Sequence, residues 1–177
     1  SSYGSTTSTS GAFTMNTSNT NSGGWGSSQM RSKVLGSASS PTSPTANTLM
    51  AALPSDLRAV MKSCTKYTDN NGGGNTASNV SSTTDYLFLL SEYEVFATHQ
   101  YCNDAEPNYQ AQYDYFKAGN SKVANKHSAT GTAAVWWLRS PNYNNINNNY
   151  FCAVSSSGSL DYNNANNAYG VVPGFVV

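Results

Sequence analysis

The side chains best suited to chemistry lie between Pro141 and Gly170, in the stretch NYNNINNNYFCAVSSSGSLDYNNANNAY. Its carboxamides, hydroxyls and phenols donate and accept hydrogen bonds, and its Tyr rings add rigid amphipathic area at little entropic cost. That is chemistry for reversible recognition rather than for bond-making. Elsewhere the candidates are sparser. His99 stands three residues before Cys102, a spacing open to a metal-ligand pair. With only two His and no CxxC, a loop His and a packed Cys are the simpler expectation. Many Ser residues occur without a recognisable Ser–His–acid order, so no nucleophilic site is expected. Glu92, Glu94 and Arg139 are the charges closest to the predicted core. A buried unpaired charge is costly, so Arg139 is expected to pair with one of these glutamates.

Around these residues the chain is sparing with charge. Of its 177 residues 10% are charged and 38% hydrophobic, and the formal net charge is +0. An average domain carries about a quarter charged residues, so Ser, Thr, Asn, Gly and Tyr must supply this surface. The length suits one domain with a sizeable core. The absence of a Lys/Arg run argues against nucleic acid as a partner, since that binding rests on phosphate neutralisation. No apolar run approaches the ~20 residues of a membrane span, so no membrane insertion is expected. Cys64, Cys102 and Cys152 allow at most one disulfide, which is no disulfide scaffold. The start, SSYGSTTSTSG, lacks an initiator Met and both the basic and apolar parts of a signal peptide. A processed chain or a fragment is the expectation.

The elements that must position the tract can be read in turn. Residues 1–24 are low-complexity and predict an arm or linker, with one short edge strand at Phe13 and Met15. Ser27 or Ser28 caps a predicted helix that runs through Val34 and stops at Gly36. Thr45 to Lys62 has helical spacing of Leu49, Leu53, Leu57 and Val60, broken at Pro54 into two helices. Strands are predicted at Cys64–Thr68, Tyr86–Leu90, Val135–Leu138, Phe151–Val154 and Val171–Val177. A capped helical turn is predicted at Ser91–Phe96, a loop at 98–109 and a Tyr-rich helix at Gln110–Lys117. Short helices followed by short strands give an α+β class. Trp136 and Trp137 point to opposite faces of a strand: one is core, the other a candidate floor for a binding face. Trp25 is expected in the core.

Two readings of the Asn-rich tract compete. It can be disordered, or it can decorate short strands and loops between the core-like VWWLRSP and VVPGFVV. The apolar Phe151-Cys152-Ala153-Val154 at its centre favours the ordered reading, because both flanking strands need a partner. The tract also lacks Lys, Glu, Gln, Trp and Met, all present elsewhere in the chain. These are the types that an AAC or AAT codon cannot reach when only its adenines change, and every type in the tract is Asn or reachable in that way.

The series GGWGSSQMR, ALPSDLRAV, TKYT, TTDYLFLLSEYEVF, QYDYF, WWLRSP and GVVPGF resembles a domain family of phage and gut-bacterial surface proteins. Its members look like variable proteins of diversity-generating retroelements, although non-diversified members share the scaffold motifs, so the Asn tract carries the diversification reading. They have a C-type-lectin-like fold of the formylglycine-generating-enzyme branch, with short helices and small antiparallel sheets. The resemblance covers roughly residues 12–177. It implies a domain over 25–177 with a variable region at about 142–169, on a phage tip or a bacterial cell surface. It implies a non-enzymatic binder of protein or glycan on a cell surface, with no cofactor, and a homotrimer if it sits on a phage tip. A fixed-sequence lectin-like adhesion domain and a structural virion component are the alternatives.

The binding face expected from this resemblance has two parts. The first comprises Tyr143, Asn144, Asn145, Ile146, Asn147, Asn149 and Tyr150. The second comprises Ser155, Ser157, Ser159, Leu160, Asp161, Tyr162, Asn163, Asn164, Asn166, Asn167 and Tyr169. Phe151, Cys152, Val154 and Gly158 are expected as scaffold between them, while Ala153, Ala165 and Ala168 stay open. Glu106-Pro107-Asn108 is similar to the calcium and sugar motif of C-type lectins, whose oxygens suit a hard cation. No Trp-Asn-Asp partner follows it, so that site is not expected. The enzyme relatives use a cysteine pair, whereas these cysteines fall in separate segments.

Overall fold

The computed structural model describes residues 8, 9, 12–127, 129–144 and 147–177. In chain order, β1 (Ser8–Thr9) and β2 (Ala12–Phe13) precede α1 (Gly24–Ser27) and a π-helical turn (Met30–Leu35). Next come α2 (Leu49–Ala52), α3 (Ser55–Val60), β3 (Cys64–Asp69), a 3-10 turn (Ala77–Asn79), β4 (Val80–Asp85) and β5 (Phe88–Leu89). α4 (Glu92–Phe96), a second 3-10 turn (Glu106–Tyr109) and α5 (Asp114–Lys117) follow. The chain closes with β6 (Ala124–Lys126), β7 (Ala129–Ala134), β8 (Trp136–Pro141), β9 (Tyr150–Val154), β10 (Leu160–Asn164) and β11 (Pro173–Gly174). Short helices and small antiparallel sheets make the class α+β.

The sheet β10-β9-β8 is the spine. Every residue of β8 is buried, and the period-two alternation of side chains divides the sheet between two cores. Trp137, Phe151 and Ala153 enter the larger one with Met15, Trp25, Met30, Leu35, Met50 and Leu89. Trp136, Leu138, Cys152 and Val154 enter the smaller one with Val95. The two Trp residues therefore do face opposite ways, but both are core. Trp136 is 2% exposed, with its Nε1 donating to the Lys122 carbonyl at 3.0 Å, so it is not the floor of a binding face.

Local chemistry sets the helices. Thr48 caps α2, accepting the Ala51 N–H at 3.3 Å, so this helix starts later than Thr45. Pro54 ends it and opens α3, as the sequence predicts. At α4, Ser91 and Glu94 form a reciprocal capping box. Gly36, at φ 66°, ends the π-helical turn. The Tyr-rich helix is shorter than expected: the Tyr113 backbone N–H donates to the Glu94 carbonyl at 3.0 Å, and the Gln110 and Gln112 side-chain amides donate to the Tyr67 and Val95 carbonyls. That leaves 110–113 outside the helix and only Asp114–Lys117 helical.

The ends of the chain also differ from expectation. Phe13, Met15 and Asn21 are buried, and Phe13 and Tyr169 exchange backbone hydrogen bonds at 2.7 and 3.0 Å. Residues 12–24 thus belong to the packed body, and a boundary at 24/25 does not describe them. The last segment is not a continuous strand: Pro173–Gly174 pairs with β5 and Val176 bridges Lys62, while Val177 is 60% exposed. The β3–β4 and β6–β7 hairpins each include a strand, VSSTTD and ATGTAA, without apolar alternation to announce it.

Arg139 is fully buried beneath this framework, and it is paired. Its guanidinium donates to Glu94 Oε2 at 2.5 Å, Thr68 Oγ1 at 2.9 Å, the Leu89 carbonyl at 2.8 Å and Gln110 Oε1 at 3.1 Å. Lys66 completes the network, 3.0 Å from Glu94 Oε1 and 2.8 Å from the Tyr113 hydroxyl. Burial pushes the Glu94 carboxyl up, but the charge and hydrogen bonds of Arg139, with Lys66, outweigh it and hold the group at about 2. Glu106, also fully buried, accepts the Asp69 N–H at 3.0 Å and the Ser140 hydroxyl at 2.7 Å. Here burial wins over those bonds and over the attraction of Arg139, and the carboxyl is pushed up to about 7.

Two expectations follow. Arg139→Met removes the main counter-charge of Glu94, leaving Lys66 to meet it, and is expected to lower stability by about 3 kcal/mol, read from urea denaturation. The pH dependence has two limbs of opposite sign. Glu94 lies below its ordinary value of 4.5, so its contribution is complete above 4.5 and fades as pH falls toward about 2. Glu106 lies above 4.5, so its contribution is complete below 4.5 and is lost as pH rises through about 7. Glu106→Gln keeps the side chain neutral and is expected to make the second limb shallower, the raised Glu92 carboxyl supplying the remainder, while leaving the first limb unchanged, measured as the urea midpoint across that range.

Candidate ligand-binding site

The candidate site stands at one end of the three-stranded sheet. The register sets Tyr150 opposite Asn164 and Tyr162 opposite Cys152, which brings Tyr150 and Tyr162 to the same face. Asn142 follows β8, and its N–H donates to the Tyr150 carbonyl at 3.0 Å. Tyr101, Asn142, Asn144, Tyr150 and Tyr162 line a small open cleft of about 100 Å³. The Tyr101 and Tyr162 rings meet edge-on at 4.8 Å and 74°, and Tyr150 lies 5.1 Å from Tyr162 at 31°. Such offset and edge contacts are the favoured arrangements of aromatic rings.

Tyr101 arrives from the loop after α4, where Glu92 fixes it. The buried Glu92 carboxylate accepts the N–H groups of Gln100 at 2.6 Å, Tyr101 at 3.1 Å and Cys102 at 2.7 Å, and the Cys152 thiol at 3.5 Å. Burial pushes this carboxyl up, and the three backbone donors pull against it. The Tyr101 carbonyl in turn accepts the Tyr143 N–H at 2.9 Å. On the other side, Asn21 holds the loop before β9. It donates its N–H to the Asn148 carbonyl at 2.8 Å and its side-chain amide to the Tyr150 carbonyl at 3.0 Å.

The structure brings together only some of the expected binding residues. Asn144, Tyr150 and Tyr162 line the cleft, and the half-buried Tyr143 is fixed beside Tyr101. Asn147 is exposed and Asn149 half-buried, with its side-chain amide donating to Asn164 Oδ1 at 3.0 Å. Asn145 and Ile146 lie outside the described residues. Asp161 and Asn163 lie opposite Ala153 and Phe151, on the other face of the sheet. Asn163 also accepts from the Asn167 amide, and Asn166 is exposed. Leu160 packs against the smaller core and Tyr169 against the larger, with its ring 4.9 Å from that of Trp137.

Ser155, Ser157 and Ser159 stand apart. They form a hydroxyl chain at 2.9 and 3.3 Å in the β9–β10 turn, at the far end of strands that rise roughly 3.3 Å per residue. Of the expected scaffold, Phe151, Cys152 and Val154 are 0% exposed and Gly158 is half-buried; of the alanines left open, Ala153 and Ala165 are 0% exposed and Ala168 is half-buried.

Tyr101 and Asn142 were not among the expected contacts. Asn142 is the first residue of the tract, where composition is a signal; Tyr101 lies in a loop with no local signal. The sparser candidates have structural partners. His99 pairs with Asp104 at 3.0 Å, and Glu106 of the Glu-Pro-Asn motif is turned inward. No group of three or more His, Cys, Asp or Glu among the described residues could hold a metal ion. Burial, reinforced by the nearby Glu92 and Glu106 charges, pushes the Cys102 and Cys152 thiols up, which leaves them poor nucleophiles.

Among the described residues no helix is long and apolar enough to cross a membrane. No curated protein and no solved structure matches the chain. A family model described as a domain of unknown function, DUF6273, matches residues 9–177. With nearly its whole length matched, the chain belongs to the DUF6273 family.

Proposed function

We propose that this chain is a non-enzymatic ligand-binding domain, the variable protein of a diversity-generating retroelement, with a C-type-lectin-like fold. On this reading its tract at about 142–169 is diversified by adenine mutagenesis to recognise surface ligands, and the domain is presented on a phage tip or a bacterial cell surface. One observation carries the proposal. Within the tract, the positions at 0% exposure are Phe151, Cys152, Ala153, Val154 and Ala165, and none is Asn. The Asn residues from 144 onward that the structure describes are all exposed or half-buried, and Asn142, the first residue of the tract, is the buried exception at 3%. From 144 onward, mutable side chains are thus largely separated from the ones that hold the sheet. The pairing of Phe13 with Tyr169, which closes the start of the body against its end, also supports the fold assigned.

The composition suits the task. Tyr gives rigid contact area, and Asn and Ser give adaptable hydrogen bonding, the same division found in antibody paratopes. A fixed-sequence adhesion domain of the same fold would carry this face without variation among siblings.

Two measurements test the proposal. Sequencing the gene and its siblings is expected to show AAC or AAT at the tract's Asn positions, with differences confined to adenines. Other codons, or variation spread over Trp25, Trp137 and Arg139, would remove the diversification reading. For binding, Tyr150→Ala with Tyr162→Ala is expected to abolish ligand capture and to leave the thermal midpoint nearly unchanged, since Tyr162 is 37% exposed and Tyr150 half-buried. Differential scanning calorimetry beside a binding assay reads both.

A further inference from the structure

The cleft itself narrows the class of ligand. No charged side chain lines it; three phenol rings and two carboxamides do. Asn142 is only 3% exposed. Its Oδ1 accepts the Asn144 N–H at 2.9 Å, while its Nδ2 takes no partner among the described residues. Among the described residues the Tyr150 and Tyr162 hydroxyls also take none, whereas the Tyr101 hydroxyl accepts from Gln100 at 3.0 Å. The site therefore offers aromatic faces next to neutral donors and acceptors that are free to engage a ligand.

Each ligand class meets this lining differently. An anionic group would find no cation and would approach the buried acids behind Tyr101. A cation could use the ring faces, but no carboxylate stands in the cleft to pair with it. A hard metal ion requires carboxylate oxygens that the lining lacks. A protein epitope needs roughly 800 Å² per partner, far more than this cleft provides alone. A saccharide ring fits each condition. Its C–H face carries partial positive charge that the negative ring face attracts, and its hydroxyls match amide and phenol in both directions. The enclosed volume, about 100 Å³, is well below the roughly 300 Å³ at which ligand sites start, so the cleft suits stacking against a single ring rather than engulfing a chain.

We infer that the Tyr101–Tyr150–Tyr162 cleft, with Asn142 at its floor, binds a neutral sugar ring of a surface glycan by stacking and direct hydrogen bonds. This rests on the ligand-binding reading above and adds the class of ligand. Tyr101 lies outside the tract and is the constant part of the site, whereas Asn142, Asn144, Tyr150 and Tyr162 lie within it.

The test uses the full chain on an array of neutral and anionic oligosaccharides, with and without EDTA, beside a displayed random-peptide library. Neutral glycans are expected to bind, with no loss in EDTA. Tyr162→Ala is expected to weaken that binding by about tenfold or more, with Tyr162→Phe retaining part of it. Tyr101→Ala is expected to weaken binding to every glycan that the chain recognises. Loss in EDTA, a preference for anionic glycans, or no glycan bound at all overturns the inference. If peptides are then captured and Tyr150→Ala with Tyr162→Ala abolishes capture, the ligand-binding reading survives without the sugar. If neither panel is bound, or if binding ignores the Tyr substitutions, both fall.

Discussion

Everything else in this molecule is arranged around a guanidinium that cannot reach water. A buried Arg is tolerable only when its donors are occupied and its charge is met. Arg139 meets that demand with partners on β3, β5, α4 and the segment before α5, so one side chain draws together elements spread over more than seventy residues of sequence. Glu94 serves twice, as counter-charge and as half of the capping box that starts α4. The start of α4 also carries Glu92, whose carboxylate holds the loop of Tyr101. The ion pair and the cleft are therefore mechanically continuous: the residue that neutralises the core lies two positions from the one that aims the binding loop.

That continuity explains the division of labour in the sheet. One face of β9 is closed by Phe151 and Ala153 against the larger core, the other by Cys152 and Val154 against the smaller. The central strand is thus packed on both faces, which fixes its backbone from two sides. Tyr150 and Tyr162 project from a backbone whose position does not depend on them. A binding surface built on such a support can change its side chains without changing its frame, since surface substitutions away from buried networks usually move stability little.

Much of the framework was legible in the sequence. Pro54, Gly36 and the Ser91–Glu94 spacing announce their turns because each acts locally, through φ, capping or a missing donor. The Arg139–glutamate pair was legible because the cost of burying a lone charge leaves few alternatives. What was not legible depends on pairing at a distance. Polar strands such as Val80–Asp85 show no alternation because they are largely exposed, and only their hairpin partner defines them. Residues 12–24 look like a linker in composition, yet Phe13, Met15 and Asn21 are buried by contacts with residues more than a hundred positions away. The composition of the tract suggests the binding surface proposed above but not its geometry. Tyr101 joins it from another loop, and the serines of the β9–β10 turn leave it, because strand register rather than composition decides which residues share an end.

β10 pairs only with β9 and forms the outer edge of its sheet. An outer strand offers unpaired backbone groups to any neighbour, and charge is a common means of keeping neighbours away. Asp161, on this strand, is the one ionised residue between 142 and 169. If the tract is free to vary, then variants compete on two counts at once. A side chain that improves capture but leaves the edge neutral and apolar invites sheets to join, so the repertoire of useful surfaces is bounded by colloidal stability as much as by affinity.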